Sequence, residues 1–292
     1  MIHILLIGYS GQVGKELQEI LKKNKTFNIH TYNSANLDIT NFNKVNNEIN
    51  RIKPSIIINA AAYTNVEKSE SNKKAFKVNA EAVGNLAKVA HENDAYFIHI
   101  STDYVFGNKK SGCYSIGSPT KPLNKYGQSK LMGENLIKKY CEKYFIIRTS
   151  WVYGIHGGNF VQTIIDNANN ESLNVVNDQQ SSPTSASSLS HFIYFIIGRI
   201  NQKNPPKNRI LHFSNLGRTS WYFFAREIIK ISFDLGIIEN KPKIIAVNSD
   251  SLKTQARRPN NSKLRVSKFI DFRNYFWKDE LRKQLLKIKN LN

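Results

Sequence analysis

Hydrophobic and polar positions in the first half of the chain follow two alternating patterns. Short, continuously apolar runs such as Ile2–Ile7 and Tyr96–Ile100 are typical of parallel strands buried on both faces. The segments between them, such as Lys73–Asn93, carry apolar residues at helical spacing. This alternation predicts an α/β fold with a doubly wound parallel sheet and right-handed crossovers. The other predicted strands are Asn28–Tyr32, Ser55–Ile58 and Tyr144–Arg148, and the other predicted helices are Gln12–Lys23, Phe42–Arg51 and Leu123–Tyr140.

The regular alternation ends after Trp151. The elements predicted beyond it are a strand at Leu173–Val176 and helices at Phe160–Asn169, Leu189–Ile200 and Trp221–Phe233. This irregular mixture predicts a smaller, mixed C-terminal lobe. We therefore expect one domain over residues 1–152 and a second unit over 153–292, with segments near 173–200 packing back on the sheet.

Composition excludes several classes of protein. Of the 292 residues, 40% are hydrophobic, which supports a packed core rather than wholesale disorder. The longest apolar helical candidate, Phe192–Ile197, is far shorter than the roughly 18 residues of a membrane span. The N-terminal apolar run is too short for a signal peptide and lacks a basic leader. Two cysteines, Cys113 and Cys141, show no metal-ligand spacing, so we expect a reduced, cytoplasmic protein without membrane association.

The formal net charge of +20 has two interpretations. It could mark a nucleic-acid binder, or it could reflect a Lys- and Asn-rich composition with solvated lysine faces. The basic residues are scattered, although the tail from Lys253 onward is markedly basic. No helix-turn-helix, zinc knuckle or aromatic RNA-binding pattern is present. We expect no specific nucleic-acid partner, with some of the charge serving a phosphorylated substrate.

Three glycines, Gly8, Gly11 and Gly14, follow the first predicted strand and open the first predicted helix. The first permits a tight turn, the second lets backbone approach a pyrophosphate, and the third lets the helix pack on its strand. The helix N-terminus then presents unpaired N–H groups to the anion. This pattern indicates a Rossmann-like, dinucleotide-binding domain over 1–152 and a mainly substrate-binding lobe over 153–292, although a glycine turn without a ligand is the alternative.

Tyr126 and Lys130 are four residues apart on a predicted helix and so share one face. A nearby cation stabilises a phenolate and lowers the pKa of the tyrosine. Such a tyrosine can give a proton to a carbonyl oxygen as a hydride reaches the carbon. Lys130 could also hold the ribose of a cofactor. A chance surface pair is the alternative interpretation of this spacing.

Two polar segments follow predicted strands at their carboxyl ends, where open α/β sheets bind ligands. Ser101–Phe106 places the Thr102 hydroxyl where it could contact a substrate carbonyl beside Tyr126. Asn59–Thr64 carries small side chains that would let a cofactor lie close to the backbone. The alternatives are that Thr102 is a cap and that Asp103 is a turn residue.

Together these segments resemble an extended short-chain dehydrogenase/reductase. Further runs narrow the resemblance to the dTDP-4-dehydrorhamnose reductase family; they are Ser150–Gly154, Gly158–Val161, Val176–Gln179, Ser182–Thr184, Ser220–Tyr222 and Arg258–Ser262. The resemblance spans nearly the whole chain. It implies reduction of the 4-keto group of dTDP-4-dehydro-L-rhamnose by NAD(P)H, which gives dTDP-L-rhamnose for surface polysaccharide.

The resemblance also implies roles for individual residues. Tyr126 would be the proton donor, Lys130 its partner, and Thr102 would complete the catalytic site. The cofactor would be held by Gly8, Gly11, Gln12, Val13, Gly14, Asp38, Ile39, Ala61, Ala62, Thr64, Tyr126 and Lys130. The substrate would be contacted by Thr102, Asp103, Tyr104 and Trp151. Its pyrophosphate needs a cation, for which we select Arg258 from the basic tail. Core packing for Trp151 and a surface salt bridge for Arg258 are the alternatives.

The chain departs from the family pattern at three places. The end of the second strand reads Tyr32–Ser34 without the carboxylate that NAD-binding folds usually place there, which favours NADPH while NADH stays open. Ile116 and Ser118 stand where the family commonly carries acids. Some members bridge a homodimer through Mg²⁺. Glu16 matches one such position, but Ser187-Ser188 stand where other acids would be, so we predict no metal site and an ordinary exposed Glu16.

Two other functions are compatible with these residues. One is a related nucleotide-sugar ketoreductase that gives another deoxysugar epimer. The other is a non-catalytic, NADP-binding regulatory subunit of the same fold, against which the joint presence of Thr102, Tyr126 and Lys130 argues.

Overall fold

The computed structural model describes residues 1–291, and a six-stranded parallel sheet forms the centre of that part of the chain. The strands in chain order are β1 (Ile2–Ile7), β2 (Phe27–Tyr32), β3 (Ile56–Asn59), β4 (Tyr96–Thr102), β5 (Tyr144–Thr149), β6 (Val152–Tyr153), β7 (Ser172–Val176), β8 (Gln180–Ser181), β9 (Thr184–Ser185), β10 (Ile210–His212), β11 (Thr219–Ser220) and β12 (Lys243–Val247). The central sheet has the order β10-β5-β4-β3-β1-β2. The predicted α/β fold with a doubly wound parallel sheet is confirmed.

Helices cover both faces of this sheet. In chain order the helices are α1 (Gln12–Lys22), α2 (Phe42–Ile52), α3 (Lys74–Phe76), α4 (Ala82–Glu92), α5 (Lys125–Tyr140), α6 (Phe160–Asp166), α7 (Ala186–Asn201), α8 (Trp221–Asp234) and α9 (Trp277–Lys289). Of these, α1 and α7 cover one face of the sheet and α2, α4 and α5 the other, whereas α6, α8 and α9 pack in the smaller lobe. A π-helical turn, Lys77–Glu81, joins α3 to α4, so the single helix predicted over 73–93 is interrupted near its start. In the described residues 1–291, no helix has both the length and the apolar character of a membrane span.

The continuous apolar runs of the sheet are explained by burial on two faces. Along β3, Ile56 and Ile58 pack with α1 and α7 on one face, whereas Ile57 packs with α2, α4 and α5 on the other. All three isoleucines are buried. A parallel strand covered in this way needs an apolar residue at every position.

The second half of the chain both completes the sheet and builds a smaller lobe. α7 packs on α1 against the sheet, and β10 pairs with β5 at its edge. In contrast, β7 pairs in parallel with β12 and packs with α6, α8 and α9 in a separate apolar cluster. The predicted boundary between residues 152 and 153 stays a prediction.

Candidate functional site

A cleft of about 1270 Å³ opens at the carboxyl ends of the central strands, beside the smaller lobe. Most of the residues predicted for catalysis, cofactor and substrate line it: Gly8, Gly11, Gln12, Val13, Asp38, Ile39, Ala61, Ala62, Thr64, Thr102, Asp103, Tyr126, Lys130 and Trp151. Gly14, Tyr104 and Arg258 do not line it. The topology therefore brings four distant sequence segments to one edge of the sheet, as open α/β folds do at ligand sites.

The glycine turn is shaped by close backbone contacts. Gly8 has a φ of +83°, and a Cβ there would lie 2.5 Å from the backbone nitrogen of Ala61. A Cβ on Gly14 would lie 2.1 Å from the carbonyl oxygen of Gly8. A Cβ on Gly11 would meet no atom nearer than 3.5 Å. Gly11 is also the N-cap residue of α1, and no side chain forms a capping hydrogen bond there. The first N–H groups of α1 therefore stay available, and the turn fits a pyrophosphate.

The wall beyond β2 carries cations and no acid at the strand end. Asn33 and Ser34 line the cleft there; Lys73, Lys74, Lys77 and the acid Glu81 line it at and before the π-helical turn, and Lys74 and Lys77 act on Asp38. Asp38 accepts hydrogen bonds from the Thr40 backbone nitrogen and hydroxyl, both at 2.9 Å, and the backbone bond is the main cause of its lowered pKa. This wall suits a phosphorylated ribose better than a ribose whose 2′-hydroxyl needs a carboxylate partner.

Tyr126 lies in the first turn of α5, which two local features hold in place. The Asn124 side chain caps the helix by accepting a hydrogen bond from the Gly127 nitrogen at 2.8 Å. A Cβ on Gly127 would lie only 2.2 Å from the Tyr104 carbonyl oxygen, so glycine lets α5 approach the loop after β4. The Tyr126 ring then packs edge-on against Tyr104 at 5.9 Å between ring centroids.

The electrostatics of the Tyr126–Lys130 pair differ from the prediction. Burial raises the pKa of Tyr126 to about 12, partly opposed by hydrogen bonding to Thr102, while Asp103 raises it further. Lys130 Nζ donates to the Ile100 carbonyl oxygen at 2.7 Å instead of bonding to the phenol. Burial lowers the pKa of Lys130 itself to about 8, although Glu134 opposes this. The predicted lowering of the Tyr126 pKa by Lys130 is therefore wrong. Burial of the phenol raises its pKa, and the four-residue spacing does not bring Lys130 Nζ into a hydrogen bond with it.

Thr102 and Asp103 combine structural contacts with exposure to the cleft. Thr102 ends β4; its hydroxyl accepts from the Tyr104 nitrogen at 3.2 Å and donates to Asp103 Oδ1 at 3.1 Å. Burial raises the pKa of Asp103 to about 7. Among residues 1–291, Asp103 Oδ2 is buried without a hydrogen-bond partner. Thr102 therefore caps the short helix after β4, which was the alternative interpretation, and it also borders the cleft, as the predicted substrate contact requires.

Trp151 stands where the sheet meets the smaller lobe. Its φ of 48° lies in the left-handed region that residues other than glycine rarely adopt. Its indole stacks on Trp221 with centroids 3.6 Å apart and planes 10° apart, and its carbonyl oxygen accepts from Thr184. The strained backbone is therefore held by contacts on both sides, and the indole forms a fixed wall of the cleft.

Arg258 forms the salt bridge that was the alternative interpretation. Its Nη2 lies 2.6 Å from Glu67 Oε1, and the side chain is 24% exposed. Glu67 Oε2 also accepts from the backbone nitrogen of Gln255 at 2.9 Å, so this acid ties the basic tail to the loop after β3. Tyr104 is partly buried and lies close to Arg258, and removal of its phenol from water raises its pKa. Tyr104 and Arg258 both lie outside the lining of the cleft.

Sequence reasoning missed a polar layer beneath the cleft. Arg148 on β5 forms a bidentate bond to Glu134, with distances of 2.9 and 2.6 Å, and both side chains are buried. Ser101 donates to the same carboxylate at 2.6 Å. On β4, His99 lies 3.1 Å from Lys130 Nζ. The i,i+4 spacing of Lys130 and Glu134, and a histidine within an apolar strand, were the signals available in the sequence.

Glu16 is not the exposed residue that was predicted. It is 4% exposed, because Lys287 of α9 lies over it, with Nζ 3.7 Å from Glu16 Oε2. Ser188 donates to Glu280 of the same helix at 2.8 Å. In the part of the chain that the structure describes, no cluster of three or more His, Cys, Asp or Glu side chains could hold a metal ion.

Several known proteins are similar to this chain in sequence and in fold over nearly their full length. The model of the RmlD substrate binding domain matches residues 2–289. The dTDP-4-dehydrorhamnose reductase of Escherichia coli strain K12 is 39% identical over 273 residues, which cover 92% of this chain and 91% of that protein.

Two crystal structures agree with that match. One is a dTDP-4-dehydrorhamnose reductase from Clostridium acetobutylicum, with a TM-score of 0.89, 34% identity and coverage of 99% of this chain and 100% of that one. The other is the dTDP-4-dehydrorhamnose reductase of Bacillus anthracis in complex with NADP, with a TM-score of 0.88, 32% identity and coverage of 98% and 99%. Because its sequence and its fold both match over nearly the whole length, the chain belongs to the dTDP-4-dehydrorhamnose reductase family.

Proposed function

We propose that this protein uses NADPH to reduce the 4-keto group of dTDP-4-dehydro-L-rhamnose, which yields dTDP-L-rhamnose for surface polysaccharide. Membership of the reductase family supports the reaction and substrate. The observation that carries the proposal is the position of Tyr126, which borders the same cleft as the glycine turn and the Thr102 hydroxyl. A proton donor and a dinucleotide cradle in one cleft are what a carbonyl reductase requires.

The cofactor would be held by backbone and small side chains at the sheet edge. Gly8 and Gly11, with the start of α1, would bind the pyrophosphate, and Ala61 and Ala62 would let the cofactor lie close to β3. Lys73, Lys74 and Lys77 would neutralise a ribose phosphate, which favours NADPH over NADH. When bound, NADPH supplies the hydride that reduces the keto carbon.

Tyr126 would give its proton to the oxygen of the reduced carbonyl. A phenol with a raised pKa of about 12 keeps its proton until negative charge develops on that oxygen. Thr102 would hydrogen-bond the same oxygen or the phenol and so orient the proton transfer. Lys130, one helical turn away, would offset the negative charge that the transfer leaves on Tyr126.

The sugar nucleotide would meet two groups that line the cleft, Trp151 and Asp103. The Trp151 indole, supported by Trp221, offers a flat wall for the sugar. Asp103 borders the cleft, and its carboxyl group would contact a sugar hydroxyl. Arg258 does not line the cleft, so its predicted contact with the diphosphate would require the guanidinium to leave Glu67. We also propose the individual residue roles given above, assembly as a homodimer and a cytoplasmic location.

The test is NADPH oxidation by the purified chain with dTDP-4-dehydro-L-rhamnose, with the stereochemistry of the product read by NMR. We expect turnover to dTDP-L-rhamnose, and Tyr126→Phe should lower kcat by about 10²- to 10⁴-fold, because the general acid is lost while the ring still packs. Tyr140→Phe, at the far end of α5, is the matched control and should leave kcat unchanged.

Three results would contradict the proposal in different ways. Inversion at the reduced carbon relative to L-rhamnose would indicate an epimeric product. NADPH binding without oxidation of any 4-keto dTDP-sugar would indicate a non-catalytic subunit. Turnover by Tyr126→Phe at the wild-type rate would remove that residue from the chemistry.

A further inference from the structure

Three buried polar side chains, Asn59, His99 and Lys130, form a continuous line beneath the cleft. They lie on β3, β4 and α5, and their exposed fractions are 0%, 0% and 2%. Asn59 Nδ2 is 3.2 Å from His99 Nδ1, and His99 Nε2 is 3.1 Å from Lys130 Nζ. Lys130 is in the proposed catalytic group, whereas the proposed mechanism gives no role to the other two residues.

The direction of these hydrogen bonds follows from one backbone donor. The Ala61 nitrogen donates to Asn59 Oδ1 at 3.1 Å, which fixes the amide oxygen on that side. The Asn59 amide nitrogen, a donor only, therefore faces His99 Nδ1. Nδ1 must then be the acceptor, so a neutral His99 ring carries its proton on Nε2.

That tautomer constrains the charge of Lys130. His99 Nε2–H is a donor and points at Lys130 Nζ, but an ammonium group has three N–H donors and no lone pair to accept with. A neutral amine can accept from Nε2–H and still donate to the Ile100 carbonyl oxygen at 2.7 Å. An ammonium group would have to turn away from His99, which leaves only the cleft side of the pocket.

We propose that Asn59 and His99 are positioning residues that select the protonation state of Lys130. In this assignment, which builds on the proposed function, the neutral amine docks on His99, and the ammonium turns to the cleft beside Tyr126. Proton uptake at Lys130 Nζ is thereby coupled to movement of its charge toward the reacting groups.

The other titratable and charged groups around Lys130 lie on α5, β4 and β5. Glu134 on α5 favours the ammonium, but Arg148 on β5 holds the same carboxylate in a bidentate pair. Tyr126 on α5 is a neutral phenol, since burial raises its pKa. His99 stays neutral because burial holds its pKa well below the usual range, and the charge of Lys130 lowers it further when the amine is protonated. Asn59, on β3, does not titrate.

The first experiment reads the tautomer directly and needs no substrate. NMR of the ¹⁵N-histidine-labelled protein, with His99 assigned by its loss in His99→Gln, should show a bare Nδ1 and a protonated Nε2 across neutral pH. A protonated Nδ1 would overturn the proposal. Because this measurement does not depend on turnover, it separates a failure of this inference from a failure of the proposed reaction.

The second experiment reverses the tautomer with one isosteric change. In Asn59→Asp the carboxylate would accept from Nδ1–H, so Nε2 becomes an acceptor that favours the ammonium. The wild-type rate should fall as pH rises through about 8, where Lys130 loses its charge. In Asn59→Asp this alkaline limb should move upward by about one pH unit, a tenfold change in the protonation equilibrium.

A second buried histidine provides the control. His212 is 0% exposed, and its Nδ1 lies 3.2 Å from the Tyr114 carbonyl oxygen rather than near Lys130. His212→Gln should lose stability as His99→Gln does, yet keep the wild-type alkaline limb. An unmoved limb in folded Asn59→Asp would contradict the proposal, and if that variant does not fold, the tautomer measured in the wild type decides.

Discussion

The glycine turn and the Tyr126–Lys130 helix border the same cleft but are determined by different forces. At the turn, backbone atoms leave no room: a Cβ on Gly8 or Gly14 would lie 2.5 or 2.1 Å from backbone. At the helix, burial and partners from other strands set the charge states, and Lys130 bonds to Ile100 rather than to Tyr126. The glycines that meet the steric limits form a motif that the sequence shows, whereas the charge states at the helix depend on residues that no motif connects to it.

Removing the buried acid beneath the helix should have the largest effect on stability. Glu134→Gln leaves Arg148 as a buried charge without its counterion, which should cost about 3–5 kcal/mol in the free energy of unfolding. Because Glu134 raises the pKa of Lys130, its loss should also move the alkaline limb to lower pH, opposite to Asn59→Asp. Denaturant unfolding and a pH–rate profile measure the two effects.

The control for this prediction is an ion pair at the surface. Glu227 bonds to Lys278 at 3.1 Å, with the lysine side chain 59% exposed. Glu227→Gln should change stability by no more than about 1 kcal/mol, because water screens such pairs. Equal losses in the two variants would show that burial of the Glu134 carboxylate does not set its contribution.

The glycine turn should respond to a single methyl group. In Gly14→Ala the new Cβ meets the Gly8 carbonyl oxygen at 2.1 Å and Tyr9 Cα at 2.6 Å, and neither backbone atom can move cheaply. We expect a loss of about 1–3 kcal/mol in stability and weaker NADPH binding, measured by thermal unfolding and by fluorescence titration.

Gly198 is the matched position, since it lies in α7 and its Cβ would meet nothing within 4 Å. Gly198→Ala should raise stability by roughly 0.5–1 kcal/mol through helix propensity, with NADPH binding unchanged. If Gly14→Ala bound NADPH as tightly as Gly198→Ala, the close approach of α1 to the turn would not matter for the cofactor.

Local patterns were enough to predict the sheet and much of the cleft. Strands β1, β3, β4 and β5 are apolar at successive positions because helices cover both faces, so their existence and parallel arrangement could be predicted from the sequence. β10 was missed, since an edge strand of three residues carries too short a pattern. α9 was also missed, and with it the burial of Glu16, because the residue that covers Glu16, Lys287, is more than 250 positions away in the chain.

The parts of the site that escaped prediction are those set by tertiary contacts. Thr102 and Tyr126 lie together because strand ends and a helix start meet at one sheet edge, which the order of elements implies. The positive φ of Trp151 depends on its stacking with Trp221 from the smaller lobe. In our proposal the charge of Lys130 depends on His99. The two residues lie 3.1 Å apart, and no spacing rule in the sequence predicts that contact.

The smallest predicted effect concerns cofactor choice at the end of β2. Ser34 lines the cleft where dinucleotide folds that use NAD place an acid, and Lys74 and Lys77 line the same cleft. Ser34→Asp should raise the KM for NADPH about tenfold, or about 1.4 kcal/mol, since the carboxylate repels the 2′-phosphate. The KM for NADH should stay equal or fall, because the same carboxylate can accept from a 2′-hydroxyl. Ser34→Asn, which matches the shape without the charge, should leave both values near those of the wild type. Equal changes in the two KM values, or the same change in Ser34→Asn, would mean that this wall acts on cofactors by its shape and that the lysines do not read the phosphate.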